Sequence, residues 1–238
     1  MNNNIIYFKK IKFYNYPSSF LIKKISTKGG YLVAPAASSM TTIMKNNFYY
    51  KSLKLSTIAI LDSGFFCILL RILRRKTVSK LSGYLFLKNF LDTVYVKKER
   101  ILLVSPSKFE AKKNKKFIKS KNFKKINSYV APNYPFNSKI VDTKLLNFIN
   151  RIKPKYVLIN IGGEKQEILA EYLYRKSKNR KISILCLGAA IAFLTKSQAP
   201  ISEKIDKYYL GWFFRLIYSP RLFFPRMAKS FYLIKLFR

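Results

Sequence analysis

Acid–base chemistry has few possible sources in this chain. It holds 10 Asp and Glu residues and no histidine. That excludes Ser-His and Cys-His nucleophilic chemistry and argues against a catalytic zinc site. A general base must then be a carboxylate, Lys, Tyr or Cys. Asp62 stands apart as the only carboxylate in a largely apolar stretch of more than thirty residues. It follows Thr57-Ile58-Ala59-Ile60-Leu61, a strand pattern, so it falls at a strand's carboxyl end, where a partly desolvated carboxylate can take a proton. The same Asp62-Ser63-Gly64 run reads equally well as the N-cap of a helix over residues 65–74.

The second chemical stretch is 155–171, KYVLINIGGEKQEILAE. A β-branched run, 156–161, ends at Gly162-Gly163. The polar segment Glu164-Lys165-Gln166-Glu167 then opens an apolar-periodic helix through Ile168, Leu169, Tyr172 and Leu173. Helix N-termini favour phosphate, and glycines allow the backbone to approach a ligand. The plain alternative is an ordinary strand-turn-helix in which Glu164 and Glu167 complement the helix dipole. Gln166 can donate and accept at the crevice edge, which suits a sugar or a nucleobase.

Positioning these residues requires a sheet. Strands are expected at 31–33, 57–61, 100–104, 156–161 and 182–187, alternating with helices near 40–45, 65–74, 84–95, 108–125 and 140–152 and after Glu164. The first thirty residues read as irregular, with a turn at Lys28-Gly29-Gly30, and 130–135 as a loop. Such alternation predicts an α/β, Rossmann-like domain with a largely parallel sheet and flanking helices. Ligands then lie beyond the carboxyl ends of the strands, so Asp62, Ser105, Gly162 and Gly188 would line one crevice.

Composition sets the outer bounds. The chain has 238 residues, 49% hydrophobic, with 20 Phe and 17 Tyr, ample for a folded core. It carries 47 Lys and Arg, a formal charge of +37, a field that attracts nucleic acid, anionic membrane or phosphorylated substrates. Much of the charge is spread as single Lys residues, as a compositional drift toward Lys would also leave it. The nine Lys between 108 and 125 read as a solvated helix face or as a nucleic-acid surface. Cys67 and Cys186 sit in apolar runs, as small core residues of a reducing compartment. The longest apolar runs, 58–70 and 182–194, are shorter than a membrane span, and no signal-peptide pattern opens the chain. The expectation is a cytoplasmic protein able to sit on a membrane surface. Residues 207–238 change character, with seven Lys or Arg, no acid and eleven aromatics. They read as an appendage suited to an anionic interface or a phosphorylated ligand, or as a closing helix. A domain over 1–204 with an appendage over 205–238 follows.

Together these pieces resemble the WecG/TagA/CpsF family of bacterial glycosyltransferases over roughly residues 30–230. Ile161-Gly162-Gly163-Glu164-Lys165-Gln166-Glu167 resembles its G-x-P-K-Q-E motif, with Glu164 at the proline position. Residues 187–194, LGAAIAFL, resemble the following strand and glycine loop. Gln198-Ala199-Pro200 stands at its R-A-P, and 210–216, LGWFFRL, at its L-E-W-L-Y-R-L. Pro220-Arg221 and Pro225-Arg226 stand at its P-R and R-R pairs. Asp62-Ser63-Gly64 falls at its P-D-G-x-G, and Arg71 and Lys80 at two basic positions. Ala34 and Ala36 occupy the positions of a family threonine and asparagine. The resemblance implies inverting, metal-independent transfer of a sugar, N-acetylmannosamine or a related hexose, from a UDP-sugar to an undecaprenyl-diphosphate-linked acceptor, with no cofactor. It makes Asp62 the base. It gives substrate binding to Gly162, Gly163, Lys165, Gln166, Glu167, Gly188, Arg71, Lys80, Arg215, Arg221 and Arg226. It further implies a peripheral position on the inner face of the cell membrane, in cell-surface polysaccharide synthesis, without nucleic acid; homo-oligomerisation stays open. An inactive relative that binds a lipid-linked sugar or a partner enzyme, and a basic nucleic-acid-binding protein, are the alternatives.

Overall fold

A computed structural model describes residues 4–195, 217 and 220–237. Its centre is an eight-stranded sheet in the order β1-β2-β4-β3-β8-β7-β5-β6. The strands are β1 (Ile5–Phe8), β2 (Ile11–Tyr14), β3 (Gly30–Val33), β4 (Ile58–Ile60), β5 (Ile101–Ser105), β6 (Ile126–Val130), β7 (Tyr156–Ile159) and β8 (Ser183–Cys186). Only β1 runs antiparallel, against β2; every other pairing is parallel. The α/β expectation therefore holds. The central strands are β-branched or leucine-rich and buried on both faces, as parallel strands sandwiched between helices must be.

The two faces form two cores. Tyr31, Val33, Ala59, Val157, Ile159 and Cys186 pack on one face. Against them lie α2 (Ala37–Met40), α3 (Asn47–Lys54), α4 (Gly64–Arg74), α8 (Thr143–Ile152) and α9 (Lys165–Lys176). Leu32, Ile58, Ile60, Leu103, Leu158 and Leu185 pack on the other. That face is covered by α1 (Ser18–Lys28), α5 (Gly83–Asp92), α6 (Val94–Lys97), α7 (Lys108–Ser120) and α10 (Ala190–Leu194). The strict alternation along each strand is the pleat expressed as packing.

Several local expectations are corrected. The first thirty residues are not irregular: β1 and β2 form a hairpin and α1 follows. Its two-residue turn is Lys9-Lys10, both at positive φ (45° and 62°), a conformation usually signalled by Asn-Gly. The helix expected near 40–45 is α2 plus a separate α3. Its cap is Asn46, whose side chain accepts the Tyr49 N–H at 3.0 Å. The stretch 108–125 ends as helix at Ser120 and gives way to β6, an edge strand with no buried residue. Along α7 the inward residues are Ala111, Asn114 and Ile118, and the lysines point outward.

Register brings the functional loops to one level. Val33, Cys186 and Ile159 are aligned across β3, β8 and β7, and Ala59 of β4 pairs with Val33. The loops after these four strands therefore leave the sheet side by side. β3 leads to helices on the first face and β8 to α10 on the second. Their loops diverge, which opens a crevice at a topological switch point.

The C-terminal helix (Pro220–Phe231) and a 3₁₀ turn (Tyr232–Phe237) close the first face. Leu233 and Phe237 are buried in its core. Phe237 packs at 4.7 Å from Phe8, and Phe231 meets Phe65 edge-on at 5.4 Å. Arg74 donates to the Phe237 carbonyl at 3.2 Å. The 204/205 boundary lies outside the described residues, as do Gln198, Gly211, Trp212 and Arg215.

Candidate active site

Asp62 lies just past β4. Its Oδ1 accepts the backbone N–H of Gly83 at 2.7 Å, the first residue of α5. A helix N-terminus favours negative charge, so α5 orients and supports this carboxylate. Asp62 does not cap its own helix. Ser63 does, accepting the Phe66 N–H at 3.2 Å. Ser63→Ala should therefore cost about 1 kcal/mol of stability, the ordinary value of an N-cap, while leaving turnover intact; chemical denaturation beside an activity assay checks both.

Arg71, Lys80 and Asp62 all lie within electrostatic reach of Cys67. Arg71 on α4 donates through Nε and Nη2 to the Val78 carbonyl, the former at 3.2 Å, and so grips the loop that carries Lys80. The Cys67 thiol feels all three groups. Burial pushes it up to about 12, Lys80 and Arg71 pull it back, and Asp62 pushes it further. Gly83 also seats this corner against the centre of the crevice. A Cβ there would lie 3.1 Å from the Leu187 carbonyl and 3.5 Å from the Ala34 methyl. Ala34 is buried and Ala36 exposed, and neither methyl can hydrogen-bond.

The loop after β7 approaches from the other side. Gly162 has φ 95° with open space where a Cβ would stand, and Gly163 lies 3.0 Å by the same measure from the Ser39 hydroxyl. Glu164 precedes α9 with φ 68°, a conformation closed to the proline of the family motif, whose ring holds φ near −65°. The Glu164 carboxylate accepts from the Asn46 amide at 3.4 Å and stands 3.8 Å from Lys229 of the C-terminal helix. It is therefore a cross-link between three elements rather than a residue of α9. Lys165 turns away, to Asn133 Oδ1 at 3.1 Å and over the Phe136 ring at 4.0 Å. Glu171, one turn beyond Glu167, pairs with Arg175 at 3.0 Å.

Gln166 and Glu167 are buried, each 1% exposed. Gln166 Oε1 accepts the Gly188 N–H at 3.2 Å, and its Nε2 donates to Glu167 Oε1 at 2.9 Å. Gly188 itself has φ 61°. Burial drives the Glu167 carboxyl up to about 7, against the pull of hydrogen bonds from the Gln166 side chain and from backbone N–H groups, with Glu164 pushing it further. Burial likewise pushes Tyr49 and Cys186 far up, and the Glu167 charge adds to both. The Cys186 thiol donates to the Gln166 carbonyl at 3.3 Å. A continuous chain thus runs from Asp62 through Gly83, Leu187 and Gly188 to Gln166 and Glu167.

The profile of the WecG/TagA/CpsF glycosyl transferase family matches residues 7–238. The chain belongs to that family. No curated protein sequence matches it. The segment that resembles the family's G-x-P-K-Q-E is the β7–α9 turn, and the aspartate that falls at the position of its P-D-G-x-G is the carboxylate at the head of α5. Arg221 and Arg226 are exposed on the C-terminal helix, and Arg226 lies over the Phe223 ring at 5.6 Å. Sequence reasoning missed Asn46, Tyr49 and Lys229, which lie around Glu164 and Glu167, and Ser39 beside Gly163. Asn46 carried a usable signal, an N-cap residue ahead of a short apolar-periodic run.

Proposed function

We propose that the protein transfers a sugar, N-acetylmannosamine or a related hexose, from a UDP-sugar to a polyprenyl-diphosphate-linked acceptor, with inversion and without a metal. It does so peripherally on the inner face of the cell membrane, in cell-surface polysaccharide synthesis. The observation that carries this reading is Asp62, which accepts the Gly83 N–H at the head of α5, at the same end of the sheet as the glycine loops of β7 and β8. Asp62 takes the acceptor hydroxyl proton as that oxygen attacks the anomeric carbon, and UDP departs with the bonding electrons. Gly162, Gly163 and Gly188 let backbone approach the donor, with Gln166 and Glu167 behind them. The α9 N-terminus already bears two carboxylates, so diphosphate charge falls to cations: Lys80, Arg71, Arg215, Arg221 and Arg226. UDP release from a panel of UDP-sugars with a lipid-linked acceptor tests the reaction. Absence of transfer and of hydrolysis with every donor would sink it. Ala34 and Ala36, lacking the polar groups of their family counterparts, favour a second reading: a relative that binds the lipid-linked sugar without turning it over. UDP-sugar or acceptor binding without release would establish that one.

No helix among the described residues is long and apolar enough to cross a membrane. The C-terminal helix and turn expose Phe224, Phe231, Tyr232 and Ile234 beside Arg221, Arg226, Lys229 and Lys235, which supports docking on anionic lipid. Reversing the charge of Arg221 or Arg226 should weaken binding to phosphatidylglycerol vesicles at least roughly fivefold each, since a basic residue near such a surface contributes about 1 kcal/mol. Co-sedimentation at rising salt measures it; unchanged binding would exclude this face.

A further inference from the structure

The glycine loop after β8 is held from behind by a pair of buried side chains. Gln166 has an amide whose two ends differ, and both neighbours dictate its orientation. Gly188 offers an N–H, so it requires the amide oxygen; the Glu167 carboxyl accepts, so it requires the amide nitrogen. The observed contacts, 3.2 Å and 2.9 Å, satisfy both. Glu167 Oε2 is buried and without a hydrogen-bond partner among the described residues. An ionised carboxylate left in that position is costly.

We propose that Glu167 is a positioning residue, acting through Gln166 to lock the Gly188 N–H and hence the donor-side loop 187–189, and that neither side chain touches the donor directly. The inference rests on the proposed sugar-transfer reading only for the name of the ligand that the loop faces. Gln166 joins α9 to β8 at the level where the β3 and β8 loops diverge, so losing it frees the crevice wall. The charge state of Glu167 supports the same role. Its carboxyl is raised to about 7 by burial, so the neutral acid is the form that fits the site. The titratable groups around it are Glu164 on the same turn, Tyr49 from α3 and Cys186 from β8. The latter two are held uncharged, and Lys229 faces Glu164. Between about pH 4.5 and 7 an opening that exposes Glu167 releases its proton, so the lock weakens as pH rises and levels off above about 7.

Amide hydrogen exchange at Gly188, read by NMR on the full chain across pH 5.5–8.5 with intrinsic rates divided out, tests this without any substrate. In Gln166→Ala, protection should fall roughly three- to tenfold, the worth of one hydrogen bond. In the unsubstituted protein it should decline as pH rises from 5.5 and level off above about 7. Glu167→Gln presents the same acceptor without a titrating proton, so protection should persist and its decline with pH should vanish. Gly188 protection indifferent to Gln166→Ala, or a pH decline that survives in Glu167→Gln, overturns the proposal. A parallel readout concerns function: Gln166→Ala should raise the donor KM more than it lowers kcat, and a kcat-only loss counts against positioning. Should no UDP-sugar turn over, the exchange measurements still stand or fall alone, so failure of the reaction is distinguishable from failure of the lock.

Discussion

Asp62→Asn should lower sugar transfer roughly 10²–10⁴-fold, the usual contribution of a positioned general base, while leaving UDP binding and the fold intact. The substitution is isosteric. Its amide oxygen can still accept the Gly83 N–H that Asp62 Oδ1 accepts at 2.7 Å, so α5 keeps its anchor. What disappears is the ability to take a proton. The competing account, in which Asp62 serves only the head of α5, makes the opposite forecast: Asn would be silent in turnover and Ala would cost stability alone. Turnover by Asp62→Asn within a few-fold of the starting protein, with the same donor and acceptor, would therefore retire the base assignment. Binding of UDP measured by calorimetry on the same variant separates a lost chemical step from a lost site, because Asp62 sits by β4 while the glycine loops belong to β7 and β8.

Glu167→Gln should stabilise the protein at alkaline pH. The folded carboxyl is raised from 4.5 to about 7 by burial, so between those values the native state holds a proton that the unfolded chain has released. Stability then falls as pH rises from about 4.5 and levels off above about 7. The full span is on the order of 3 kcal/mol, at about 1.4 kcal/mol per pKa unit. Glutamine removes that slope and keeps the acceptor for Gln166. The difference between variant and parent, from urea unfolding at a series of pH values, should be near zero at pH 4.5 and grow to its full size by pH 8. A difference that does not change with pH would mean that Glu167 is ionised throughout.

The elements most legible in the sequence were those whose burial is two-sided. Residues 31–33, 101–104 and 156–159 announce themselves by β-branched and leucine runs, because a strand covered on both faces has no polar positions to interrupt it. The hairpin of β1 and β2 hid behind a Lys-Lys turn. The edge strand β6 hid because Asn127 and Ser128 break the apolar run, which an edge position tolerates. At the site, Asp62 and the 162–167 loop were visible as a lone acid and a glycine pair at strand ends. The partners of Glu164 were not, since Asn46 and Lys229 lie far from it in sequence and meet it only when α3 and the C-terminal helix pack on the first face.

By itself the amino-acid order determined the α/β class, the absence of histidine chemistry, the family motifs and Asp62 as the acid to watch. Those properties are local: periodicity, residue type and short spacing. Tertiary structure decided what the acids are for. It gave the N-cap of α4 to Ser63 and placed Asp62 at the head of α5. It set Glu164 at a backbone angle proline cannot reach. It buried Gln166 and Glu167 behind Gly188 instead of leaving them at the crevice edge. Burial and hydrogen-bond partnership depend on which distant segments arrive beside a side chain, and only the folded chain brings them there.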